Sequence, residues 1–119
     1  MRNCVLVVDD SATVRDTLRV HLEKHGLAVD DAVDGIDAIE KASAACPRLI
    51  VLDLSMPRMN GLDAAPKLRQ ICPDAPIILH TVHAELIRRD PNLPIGVTEV
   101  VGKSENLVHR VLELLQKTD

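Results

Sequence analysis

Three acids, a hydroxyl and an amine stand at recurring places in this chain. Asp9 and Asp10 close the apolar run CVLVV, Asp53 closes LIVL, Thr81 closes PIILH and Lys103 closes EVVG. Short continuous apolar runs bounded by turn residues read as strands buried on both faces. If those strands are parallel, their carboxyl ends share one edge of the sheet, where ligands gather. Carboxylates brought within a few ångströms of each other repel and need a cation to stay ionised. Hard oxygen donors with no His or Cys among them suit Mg2+, which takes one or two carboxylates and keeps several waters. A carboxylate beside such a metal is a nucleophile toward a phosphoryl group. A lysine neutralises the transferring oxygens and a hydroxyl donates to one of them. The chemistry indicated is attack by one of these carboxylates on a phosphoryl group to form an aspartyl phosphate. Singly, each residue has an ordinary role as a helix cap, solvated turn, strand end or surface charge. Their joint occurrence on successive strand ends is what carries the assignment.

The elements that must position them alternate in type. Ser11 offers an N-cap to a helix in which Val14, Leu18 and Leu22 recur at four-residue spacing, and Gly26 stops it. A weak strand candidate spans Ala28 to Ala32, and Asp34-Gly35 turns into a second helix. After Leu49–Gly61, LDAAPKLRQI predicts a third helix that starts late or bends, because Pro66 lacks a backbone donor. The fourth helix is expected not to pass Asp90, since Pro91 and Pro94 follow. Ser104 is the expected cap of a last helix, with Leu107, Val108, Val111, Leu112 and Leu115 as its apolar stripe. Five strand–helix units of this length predict an α/β fold, a parallel sheet covered by helices on both faces.

Composition fits that expectation. At 119 residues, with 46% hydrophobic and 27% charged residues, the chain suits one globular domain spanning positions 1–119. The formal charge, 14 − 18 = −4, does not suggest a nucleic-acid surface. No apolar run approaches the ~20 residues of a membrane helix, and the start MRNCVLVVDD lacks a signal-peptide cleavage site, so a cytoplasmic location is expected. Cys4, Cys46 and Cys72 are odd in number and widely spaced, which predicts reduced, partly buried thiols. His21, His25, His80, His83 and His109 form no convincing ligand set, and Arg88-Arg89 reads as a solvated helix face.

Together VLVVDDS, LIVLDLSMPRMNG, PIILHT and EVVGKS give the whole chain a resemblance to the receiver domains of two-component response regulators, both stand-alone chemotaxis-type receivers and those of larger regulators. The resemblance implies a flavodoxin-like, doubly wound (βα)5 sandwich with a five-stranded parallel sheet. It implies that Asp53 accepts a phosphoryl group from a sensor histidine kinase or phosphotransfer protein. Asp10 would bind Mg2+ directly, Asp9 largely through water, and the backbone carbonyl of Ser55 would complete the protein's share. Thr81 would be the switch hydroxyl, and Lys103 the partner of phosphate and carboxylate. The domain would perform this chemistry only on itself, and a downstream protein or attached output domain would read its surface.

Three positions depart from the family pattern. An aromatic usually stands three residues before the lysine, and here it is Val100 in a chain with no aromatic residue. Ser104 replaces the usual proline, and Val82 the usual small residue after the switch hydroxyl. Output is therefore expected through reordering of the fourth helix or its loop. The alternative is a phosphorylation-independent interaction module of the same fold. A phosphatase of related fold would carry a second Asp where Ser55 stands, and usually a cap region that 119 residues leave no room for.

Overall fold

The computed structural model describes residues 3–117. Five parallel strands, β1 (Val5–Val8), β2 (Val29–Ala32), β3 (Leu49–Asp53), β4 (Ile77–Thr81) and β5 (Glu99–Gly102), form one sheet in the order β2-β1-β3-β4-β5. Five helices alternate with them: α1 (Ala12–Lys24), α2 (Gly35–Ala44), α3 (Gly61–Ile71), α4 (Ala84–Arg88) and α5 (Leu107–Lys117). The doubly wound three-layer arrangement expected from the alternating pattern is the one that forms.

Strand alternation divides the core in two. Leu6, Val8, Ile50, Leu52, Ile77, Leu79 and Val100 face α2 and α3. Val5, Val7, Leu49, Val51, Ile78 and Val101 face α1 and α5. Both sides of β1 and β3 are therefore covered, which is why their sequences are apolar without alternation. Each of these side chains contributes about 1.5–3 kcal/mol by leaving water. Parity continues past the core: Asp9, Asp53 and His80 fall on the α1/α5 side, two residues beyond Val7, Val51 and Ile78 respectively.

Local signals set the helix starts. The side chain of Ser11 accepts from the Val14 amide, that of Asp34 from Asp37 and that of Asn60 from Asp63. Two expectations are corrected at such starts. α3 does not start late at Pro66; Asn60 caps it at Gly61, and Pro66 sits in its second turn. The residue whose carbonyl loses its amide partner there is the exposed Leu62, which water reaches. The first turn of α5 is capped by Asn106, whose Oδ1 accepts from the His109 amide at 3.1 Å, and not by Ser104. Ser104 is two residues too early, in the turn where Glu105 folds back to accept from the Gly102 amide. α4 is as short as the prolines require, ending at Arg88.

The cysteines are also corrected. Cys46 and Cys72 form a disulfide, with Cα atoms 5.6 Å apart. Their 26-residue separation hides the contact because α2 and α3 lie side by side on one face of the sheet. Cys46 follows the C-cap of α2, and Cys72 is the C-cap of α3, so the two helix ends meet.

Candidate functional site

Register brings the acids together. Val8 pairs with Leu52, so Asp9 and Asp53 leave neighbouring strands side by side. Carboxylate oxygens of Asp9, Asp10 and Asp53 lie within 4.8 Å of one another, the one such potential metal-ligating group among the described residues. Asp9 and Asp53 are buried, at 3% and 8% exposure, while Asp10 faces solvent. The cluster thus has a dry floor and one open wall.

Lys103 arrives from the end of β5. Its ammonium donates to Asp9 Oδ2 at 2.7 Å and lies 3.3 Å from Asp53 Oδ1. The Lys103 amide donates to the Thr81 carbonyl at 3.0 Å, extending the β4–β5 ladder by one residue and fixing where the side chain begins. Asp9 is held further: its Oδ1 accepts from the Ser11 amide at 2.9 Å, and its carbonyl accepts from Arg15 at 2.8 Å.

The charges explain the titration behaviour. Burial, and then the charge of Asp9, push the Asp53 carboxyl above 3.8, and Lys103 offsets them only in part. Burial works to lower the Lys103 pKa. Its hydrogen bond to Asp9 and the charge of Asp53 outweigh that, so the net shift is upward. His80 pairs with Asp53 across β3–β4 and is 5% exposed. Burial, and then the neighbouring Lys103 charge, lower it to about 4, so it is a neutral ring beneath the lysine at neutral pH.

Thr81 ends β4 one residue beyond that register pair and is buried. Its Oγ1 accepts from the His83 amide at 3.0 Å, so the hydroxyl proton remains available to donate. Ser55 is exposed in the loop just after β3. The structure therefore gathers Asp9, Asp10, Asp53 and Lys103 into one contact set, with Thr81 on the adjoining strand and Ser55 on the adjoining loop.

That loop, residues 54–60, is held from two sides. Gly61 packs against the backbone of Asp53 so closely that a Cβ there would lie 2.3 Å from the Asp53 carbonyl oxygen. Arg58 adopts φ 64°, a left-handed conformation costly for a residue with a side chain, and pairs with Asp34 at 2.7 Å. The Gly35 amide donates to the Met59 carbonyl at 3.2 Å, joining the loop to the start of α2. The Arg58 hydrogen bond holds the Asp34 carboxyl below its ordinary value, against the effect of burial. Asp34-Gly35 signalled a turn there, and nothing local pointed to Arg58.

Arg88 is exposed on its helix, as expected, and it also donates to Glu105 at 2.6 Å and to the Val100 carbonyl at 2.7 Å. It thereby ties α4 to β5, at the position where the family usually places an aromatic. The packing of α4 on β5 brings this about, and the arginine pair in sequence does not signal it.

A sequence model described as the response regulator receiver domain matches residues 5–114. Response regulator MprA of Mycobacterium ulcerans is 36% identical over 117 residues, covering 96% of this chain and 50% of that protein. The chain spans about half the length of the curated relatives it matches. Among solved structures, response regulator TrrA of Thermotoga maritima, in complex with Mg2+ and BeF, is 32% identical at TM-score 0.83, covering 99% of this chain and 100% of that one. Chemotaxis protein CheY4 of Vibrio cholerae is 28% identical at TM-score 0.82, covering 100% of both chains.

Proposed function

The chain belongs to the response regulator receiver domain family, the phosphoacceptor switches of two-component systems, and on that premise we propose that Asp53 is its phosphoryl acceptor. One observation carries the assignment: three carboxylates lie within 4.8 Å, with Lys103 bridging two of them. We take the whole of 1–119 as one receiver domain. A sensor histidine kinase or phosphotransfer protein is the donor, and a downstream protein or attached output domain is the reader. Such a donor implies a cytoplasmic location. No helix among the described residues is long and apolar enough to cross a membrane.

The donor set fits Mg2+. It consists of oxygen ligands only, at least one of them open to water, and its excess negative charge is not neutralised by one lysine. Asp9, Asp10 and Asp53 would hold the ion, with the Ser55 carbonyl beside them. Bound there, the ion would neutralise charge on the phosphoryl oxygens.

The chain's own residues do the rest. The buried Asp53 carboxylate attacks phosphorus, forming an O–P bond while the P–N bond of phosphohistidine breaks and the imidazole leaves. Burial makes the attacking oxygen more basic, and Lys103 keeps it ionised. Lys103 then meets the phosphoryl oxygens, and Thr81 donates its hydroxyl proton to one of them. Output runs through α4, which Arg88 fastens to β5 in place of an aromatic. The exposed side chains of Val82 and Leu86 mark the surface that would change.

The test is labelling with acetyl phosphate in MgCl2, followed by intact mass. The expected result is one phosphoryl group per chain, absent in Asp53→Asn and in EDTA. Failure of the wild-type chain to label would overturn the assignment in favour of the phosphorylation-independent interaction module.

A further inference from the structure

The Cys46–Cys72 disulfide lies at the amino-terminal edge of the sheet, where the chain enters β3 and β4. This is the edge opposite the carboxylates. It joins the carboxyl ends of α2 and α3, whose amino ends flank the acceptor loop. At that other end the two helices meet through Gly35 and Met59, and through Asp34 and Arg58. The helix pair is thus tied at both ends, once covalently and once by the loop that follows Asp53. The two sulfurs differ in access: Cys72 is 2% exposed, whereas Cys46 is only partly buried.

We propose that Cys46–Cys72 is a reversible thiol–disulfide modification site, opened at Cys46, whose redox state sets how firmly residues 54–60 are held beside Asp53. The proposal rests on the cytoplasmic location given above, since disulfides in that compartment are chiefly transient or redox-sensing. Its reactants are low-molecular-weight thiols and disulfides such as the glutathione couple. In reduction, a thiolate attacks Sγ of Cys46, the S–S bond breaks and its electron pair leaves on Sγ of Cys72, which takes a proton. A second thiolate attacks the resulting mixed disulfide and releases Cys46, which is protonated in turn. The two cysteines have then gained two electrons and two protons, and two thiols have become one disulfide. Oxidation by glutathione disulfide is the reverse. With the covalent tie open, α2 and α3 are joined only by packing and by the Asp34–Arg58 end.

The experiment uses the full chain with Cys4→Ser, equilibrated in native buffer at graded ratios of glutathione to glutathione disulfide. Acid quench, alkylation and mass count the thiols. The expected result is a sigmoidal change between zero and two thiols without denaturant, with a glutathione adduct trapped on Cys46 in Cys72→Ser. Hydrogen exchange of the unphosphorylated chain, oxidised against phosphine-reduced, should show residues 54–60 exchanging about three- to tenfold faster when reduced. Absence of a disulfide at every ratio, opening only in denaturant, or unchanged exchange in 54–60 would overturn the proposal. Because phosphorylation enters none of these measurements, failure of Asp53 to label would leave them standing.

Discussion

Lys103 donates to Asp9 at 2.7 Å and stands 3.3 Å from Asp53, so its closer partner is Asp9 and not the acid we propose as phosphoryl acceptor. One cation from the end of β5 holds carboxylates from the ends of β1 and β3. Asp53 remains buried and only partly compensated, which is a cost to the folded chain.

That cost has a sign and a pH window. The folded Asp53 carboxyl binds its proton more tightly than the unfolded one, because its pKa is raised above 3.8. Stability contributed by this group therefore falls as pH rises from 3.8 through the folded value, and stays low above it. In metal-free buffer Asp53→Asn should be more stable than the parent at pH 7 by on the order of 1 kcal/mol. The gain should vanish in acid below 3.8, where the parent's carboxyl is protonated in both states. Denaturant melts at the two pH values measure it, and a variant less stable at pH 7 would contradict the argument.

Gly61 tests how tightly the acceptor strand is seated. A methyl group there meets the Asp53 carbonyl at 2.3 Å and Leu79 at 3.0 Å, and backbone cannot give way as a flexible side chain would. Gly61→Ala should cost about 2–4 kcal/mol and slow acetyl phosphate labelling about tenfold or more. Gly26→Ala is the control. Gly26 has φ 80° but open space around it, so the substitution should cost only about 1–2 kcal/mol and leave labelling unchanged. Equal losses at both positions would show that close approach is not what Gly61 provides.

The disulfide closes a loop across 26 residues of sequence. Loop-closure entropy of that length gives about 3–4 kcal/mol of stability. Urea melts with and without a phosphine reductant, and of Cys46→Ser/Cys72→Ser, should show an unfolding free energy lower by that amount once the bond is absent. Coincident curves would show that the bond does not constrain the unfolded chain.

The strands and the polar residues at their ends were legible in the sequence because both depend on local pattern. CVLVV and LIVL are apolar without alternation only because both faces are covered, and a strand buried on both faces announces its end with the first charge. Asp9, Asp53 and Lys103 each mark such an end, and Thr81 marks the end of PIILH with a hydroxyl instead. Ser11 announced the start of α1 by its short side chain and Asp34-Gly35 the turn into α2, whereas Pro66 drew the expected start of α3 past its real cap, Asn60.

What remained hidden depends on packing between distant elements. Residues joined through the side of the sheet carry no signature in spacing, which is why Cys46 and Cys72 read as separate thiols. Arg58 needed the loop of β3 laid against the start of α2 before it could find Asp34. Arg88 needed α4 laid on β5 before Glu105 and the Val100 carbonyl came within reach. By itself the sequence determined where the strands end and which polar side chains stand there, since period and turn residues fix each strand where it lies. Only the tertiary structure decided which of those charges meet and how closely, because hydrogen bonds and ion pairs depend on distances that helix packing sets.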